Sequence, residues 1–222
     1  MSKTITYAQV RDSEEIKTYI AQADASLKAM GFTEHSFAHV GKCAHTASLI
    51  LQRLGFPARL QELSRIAGYM HDIGNVINRV DHAQSGAMMA FRILDHMGMD
   101  PADIAVVVTA IGNHDEHTAF PVNEVAAALI LADKTDVRRT RVRGTDMTKF
   151  DIHDRVNYAV ESSEVTLYPE RHEIWLELTI DTKHCAVMEY FEIFLGRMML
   201  CRKAADHLGQ RFKLRINGLE LI

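Results

Sequence analysis

Cysteine is scarce. The 222-residue sequence holds only Cys43, Cys185 and Cys201, far apart and without CxxC spacing. That excludes a thiolate zinc site and supplies no disulfide framework. Long apolar runs are missing too, and none approaches the ~20 residues that a membrane-crossing helix needs. The stretch MSKTITYAQVRDSEE is too polar for the apolar part of a secretory signal, so a cytoplasmic location with reduced thiols is expected. Excess positive charge is also absent: 25 Lys and Arg stand against 29 Asp and Glu, a formal net charge of −4. Neither bulk nucleic acid nor an anionic membrane is therefore an expected partner. No internal repeat, low-complexity segment or flexible linker divides the chain.

What is present is a core and an unusual supply of imidazole. Hydrophobic residues make up 47% of the sequence, enough for one globular body with a small appendage. Of twelve histidines, eight fall between His35 and His117. The most telling pair is His71-Asp72 in GYMHDIGN, because an adjacent imidazole and carboxylate can bind one cation from two directions.

Helical spacing runs through to about residue 140. Asp12 and Glu15 read as a capping pair ahead of Ile16, Ile20, Ala23, Leu27 and Met30, with Gly31 as the stop. A second helix starts near Ser36, carries Val40, Cys43, Ala47, Ile50 and Leu54 on one face, and ends at Gly55. His39 lies one turn before Cys43 and shares that face. A third helix, with Leu63, Ile66, Ala67 and Met70 inward, delivers His71 and Asp72 just before Gly74. The fourth runs from about Ala83 to Gly98 with His82 at its entry. The fifth opens on Asp100-Pro101 and places His114 at its exit. Asn123 caps a sixth helix, in which Asp133 follows Leu129 by one turn and points inward. Beyond Gly144, Ile174, Leu176, Leu178 and Ile180 alternate as in a half-buried strand, with Val165 to Leu167 as hairpin partner. A helix from about His184 to Leu208 and a strand from Phe212 to Ile222, broken at Asn217-Gly218, complete the expectation. The fold class expected is mainly α, a helical bundle over 1–145 with a small α+β appendage over 146–222.

His39, His71, Asp72 and Asp133 offer two neutral nitrogens and two anionic oxygens, a mixed set that suits Fe, Mn, Co, Ni or Zn better than Mg or Ca. His82 and His114 add imidazoles at helix ends on the same side of the bundle. With the second oxygen of Asp72 they could hold a second ion, and two ions could clamp a phosphoryl oxygen while hydroxide attacks.

The ordered set His39, His71-Asp72, His82, His114 and Asp133, with the strings AHVGKCA, YMHDIGN and LADKTD, resembles the HD-domain superfamily of metal-dependent phosphohydrolases over about residues 20 to 145. The resemblance implies an HD-type helical core that hydrolyses a phosphomonoester, phosphodiester or nucleotide with metal-activated hydroxide. His39, His71, Asp72 and Asp133 match the mononuclear ligands of the family, and His82 and His114 match the additional ligands of dinuclear members. One or two divalent transition ions are implied, iron or manganese first, with zinc, cobalt or nickel as alternatives. The chain departs from the cyclic-dinucleotide hydrolases, which carry a lysine where Asn75 stands and a GYP signature that is missing here. The acidic pair of guanosine tetraphosphate hydrolases is missing too, and Asp115 stands where some dinuclear relatives have a second histidine. A few members with four histidines and two aspartates are mixed-valent di-iron oxygenases, so that chemistry stays open, as does a non-catalytic nucleotide-sensing module.

For a small phosphorylated substrate, Asp72 and Lys42 are the expected catalytic residues. Lys42, Arg79, Lys134 and Arg138 are the expected binding cations, the last two from a basic stretch that continues through Arg139, Arg141 and Arg143. His35, four residues before His39, could lean towards the site. In the appendage, Val187, Phe191, Phe194, Met198, Cys201, Ala205 and Leu208 form a seam. Burial against the small sheet is its first explanation and a homodimer through the 184–208 helix its second.

Overall fold

The computed structural model describes residues 3–144 and 146–222. Two helices open the chain, α1 (Tyr7–Asp12) and α2 (Glu14–Ala29). The α2 cap is Ser13, not Asp12, because Asp12 closes α1 and its carboxylate pairs with Arg11. The Ser13 hydroxyl accepts from Ile16 N, and Ile16, Ile20, Ala23 and Leu27 are buried as their spacing requires.

Five helices then build the bundle: α3 (Phe37–Arg53), α4 (Ala58–Met70), α5 (His82–Met97), α6 (Pro101–Gly112) and α7 (Glu124–Lys134). Their starts follow the sequence signals. The side chains of Ser36, Asp100 and Asn123 accept from Ala38 N, Ala102 N and Ala126 N. Every residue of α7 from Val125 to Ala132 is buried, so α7 is the central strut, packed against α3, α4 and α6 on one side and the C-terminal helix on the other. Its alanines at 126, 127, 128 and 132 let the neighbours approach.

Gly74 does more than end α4. It lies in a single 3-10 turn (Ile73–Val76), where a Cβ would come within 2.0 Å of His82 O and 2.4 Å of Gly86 N. Only glycine lets the His71-Asp72 turn press against the start of α5.

The remainder comprises α8 (Ile152–Ala159), β1 (Val160–Tyr168), β2 (Glu173–Ile180), α9 (Val187–His207), β3 (Arg211–Ile216) and β4 (Leu219–Glu220). The sheet runs in chain order, with β1 antiparallel to β2 in the register Val165↔Leu176. β2 and β3 are parallel, Leu176 facing Leu214, with α9 in the connection between them. Asn217 and Gly218, both at positive φ, turn β3 into β4. Thus the expected last strand is a hairpin, and α8 is an element its short sequence did not announce. In the α9 seam, Phe194, Met198, Cys201, Ala205 and Leu208 are buried and Val187 and Phe191 half-buried, all packed into the protein's own core. Among the described residues, no helix is long and apolar enough to cross a membrane.

Candidate metal centre

Five helix termini meet at one carboxylate, that of Asp72. Asp72 follows α4, His39 sits in the first turn of α3, His82 opens α5, His114 follows α6, and Asp133 is in the last turn of α7. One oxygen of Asp72, Oδ2, lies 3.5 Å from His39 Nε2 and 3.2 Å from His71 Nε2. The other, Oδ1, lies 3.6 Å from His82 Nε2 and 3.9 Å from His114 Nε2. Asp133 Oδ1 completes the first half, 3.3 Å from His39 Nε2 and 3.8 Å from His71 Nε2. All six ligand candidates therefore meet.

The tautomers are set from behind. His71 Nδ1 donates to Gly68 O at 2.8 Å, His82 Nδ1 to Arg79 O at 3.0 Å and His114 Nδ1 to Ile111 O at 2.6 Å. A carbonyl can only accept, so each ring carries its proton on Nδ1 and turns the Nε2 lone pair to the centre. Each partner lies three residues back: Gly68 and Ile111 are in the last turns of α4 and α6, where carbonyls lack intrahelical donors, and Arg79 is in the loop before α5. His39 Nδ1 donates instead to Asp136 Oδ2 at 2.8 Å. This is the outer-shell arrangement that metal-binding histidines use.

Charge states agree. Burial, with His71 and Lys134 nearby, pushes His114 down to about 3. Burial and Arg141 push His35 well below the usual imidazole value, and burial also lowers His82. These rings stay neutral, as ligands must. Burial opposes ionisation of Asp72 and Asp133 as well, but His71 beside the first and Lys134 beside the second hold both well below the usual carboxylate range. His39 differs: burial and Arg141 oppose its charge, but Cys43 close by and the hydrogen bonds to Asp133 and Asp136 hold it well above its ordinary value, so the ring must release its Nε2 proton before that nitrogen can take an ion.

The donor set fits a cation. His71 Nε2 is fully enclosed and has no hydrogen-bond partner among the described residues, an arrangement that costs free energy unless something accepts its lone pair. Ligand atoms of His71, Asp72 and His114 lie within 4.8 Å of one another, as do those of His39, Cys43, His71 and Asp133. Burial raises the Cys43 thiol, which keeps it protonated and a poor ligand.

The centre forms part of the lining of a cleft of about 500 Å³. Of the expected cations, Arg79 and Lys134 line it; Lys134 Nζ lies 2.6 Å from Asp133 Oδ2, and Arg79 Nη1 lies 3.4 Å from His82 Nε2. Lys42 and Arg138 do not: both bind Asp136 Oδ1, at 2.8 and 3.0 Å, and Arg138 also binds Glu34. Elsewhere in the basic stretch, Arg139 lies over Tyr158 and Arg143 clamps Asp24, while Arg141 reaches the cleft. His35 does lean in, lining the cleft with its ring 5.4 Å from that of His39.

Sequence reasoning missed three participants. Asp136 was within reach, since it follows Asp133 by three residues near a helix end. Asn75, noted only for not being lysine, donates to Asp72 O and Oδ1 at 2.9 and 3.0 Å and fixes that carboxylate. Arg141 had no local signal to set it apart from its basic neighbours.

Residues 36–138 match the family model described as HD domain. This segment is an HD domain. No curated protein matches the chain. The matched span contains all six ligand candidates, whereas α8 and α9, which also line the cleft, lie outside the HD domain.

Proposed function

We propose that this protein is a metal-dependent phosphohydrolase that cleaves a phosphomonoester, phosphodiester or nucleotide. The observation that carries it is the aim of four imidazole Nε2 atoms at the two oxygens of Asp72, beside two cations that line the same cleft. His39, His71, Asp133 and Asp72 Oδ2 would hold one ion, and His82, His114 and Asp72 Oδ1 a second, iron or manganese before zinc, cobalt or nickel. When bound, such ions supply Lewis acidity to a phosphoryl oxygen and acidify water near neutral pH.

The chain's own residues do the rest. Asp72 joins the two halves of the centre, and Asn75 holds it in place. Lys134 and Arg79 neutralise charge on phosphoryl oxygens. Lys42 and Arg138 work from behind, anchoring the Asp136 carboxylate that orients His39. The cytoplasm is the proposed location, consistent with three free, buried cysteines. A homodimer through α9 would have to use Met188, Leu195 and Met199, which are exposed, since the seam itself faces inward.

Metal analysis of protein purified without chelator, coupled to phosphate release from a panel of phosphoesters, tests the proposal. Expected are up to two ions per chain and turnover that Asp72→Asn abolishes, with His82→Ala losing one ion only. Oxygen uptake with a mixed-valent iron signal, or tight phosphoester binding without turnover, would replace it with an oxygenase or a sensing module.

A further inference from the structure

The cleft has a second wall that the HD domain does not supply. It is built by α8 and α9, from Asp154, Asn157 and their neighbours on one helix and Phe194 and Arg197 on the other. Asn157 is 6% exposed, and its Nδ2 donates to His153 O at 2.9 Å. Its Oδ1 takes no hydrogen bond among the described residues although the side chain lines the cleft. With its amide nitrogen committed inside the helix, the amide oxygen is left open at the cavity wall, where it can accept from a donor in the cleft. Asp154 is half-buried with no ion-pair partner among the described residues, and Asp151, at the cap of the same helix, adds a second carboxylate.

Charge is zoned as a result. Lys134, Arg79 and Arg141 sit against the ligand set, bonded to or facing Asp133, His82 and Asp136. Arg141 is 5% exposed, with Nε and Nη1 committed to Glu34 O and Asp136 O, and Nη2 without a bond among the described residues. Among the described residues of the α8–α9 wall, the one guanidinium that lines the cleft is Arg197 of α9, which pairs with Glu116 and lies over Phe194 at 4.2 Å. A phosphoryl group is favoured beside the centre, and a second one along the cleft would meet Asp151 and Asp154.

Resting on the phosphohydrolase assignment, we propose that the C-terminal α8–α9 unit forms the leaving-group subsite, and that the substrate carries one phosphoryl group on an organic part bearing hydroxyl or amino donors for Asn157 and Asp154. Inorganic pyrophosphate and nucleoside polyphosphates are excluded by the carboxylates of that wall. The volume of about 500 Å³ accommodates such an organic part along with the phosphate.

Calorimetric binding to the purified, metal-containing protein tests this without turnover. The probes are inorganic phosphate, the phosphonate analogue of adenosine 5′-monophosphate and the methylene-bridged analogue of adenosine 5′-diphosphate. Expected is at least about tenfold tighter binding of the monophosphonate than of either other probe. Asn157→Ala should erase most of that advantage with phosphate affinity unchanged, and Asp154→Asn should narrow the gap to the diphosphate analogue. Equal affinity for the mono- and diphosphate analogues in the wild type, or an Asn157→Ala protein that loses phosphate and nucleotide affinity alike, overturns the subsite. The expected binding pattern with no phosphate released from any ester leaves the subsite standing and removes the hydrolase assignment alone.

Discussion

Asp136 receives the Nδ1 proton of His39 at 2.8 Å, in a pocket where both residues are closed to solvent. The same carboxylate takes Lys42 and Arg138 on its other oxygen, and the charge and hydrogen bond of His39, with Arg141 and Lys42 close by, hold it far below the usual range despite burial. It is thus a permanently ionised acceptor that fixes which nitrogen of His39 faces Asp72 and Asp133.

Replacing it should weaken the centre without touching a ligand. For Asp136→Asn, metal affinity is expected to fall by about 10–100-fold, measured by competition with a chromophoric chelator. An affinity equal to that of the wild type would show that His39 needs no such support.

Gly74→Ala should be the most damaging small substitution. A methyl group 2.0 Å from His82 O meets backbone, not a side chain that can swing away, so α5 must shift and carry His82 with it. A cost of about 3 kcal/mol, or roughly 6–12 °C in Tm at this chain length, is expected from thermal unfolding, together with the loss of one bound ion.

Acid should undo the metal-free protein in a defined window. An imidazole takes up a proton near 6.5 in the unfolded chain, but His114 does so only at about 3 when folded. Between those values the unfolded state binds more protons, so stability falls as pH drops from 6.5 towards 3. His35 and His82, also lowered, act in the same direction, as do Asp72, Asp133 and Asp136 below about pH 4. His39, held up, opposes them, and its contribution is lost as pH rises past its folded value. Denaturant midpoints of chelated protein at stepped pH should therefore decline from pH 6.5 to 4; a flat profile would mean that these rings are not buried neutral.

Asn123→Ala tests the strut that carries Asp133. Loss of the 2.8 Å bond to Ala126 N is expected to cost about 1 kcal/mol, with metal stoichiometry intact because the cap lies at the opposite end of α7 from Asp133. A loss of metal without a loss of stability would contradict that separation.

Much of the helical frame was legible because its signals are local. Ser36, Asp100 and Asn123 cap the helices they precede, and Gly98 ends α5 at positive φ. Helical periodicity put His39 and Asp133 on inward faces before any contact was known. The frame failed where a local signal had a competitor: Asp12 gave way to Ser13 because a short helix occupied the residues before it.

By itself, then, the sequence determined the ligand types, the helix ends that present them and the HD family of the segment. Tertiary structure decided which nitrogen each histidine turns inward, which cations reach the cleft and what closes its far side. Those depend on partners distant in sequence. Arg141, held by the backbone carbonyls of Glu34, 107 positions away, and Asp136, reaches the cleft, while Arg138, held by the carboxylates of the same two residues, does not, and the Asn157 wall exists only because α9 packs on α7 and α8. Spacing along a chain fixes the face a side chain takes on its own helix; only the packing of helices fixes which faces share a cavity.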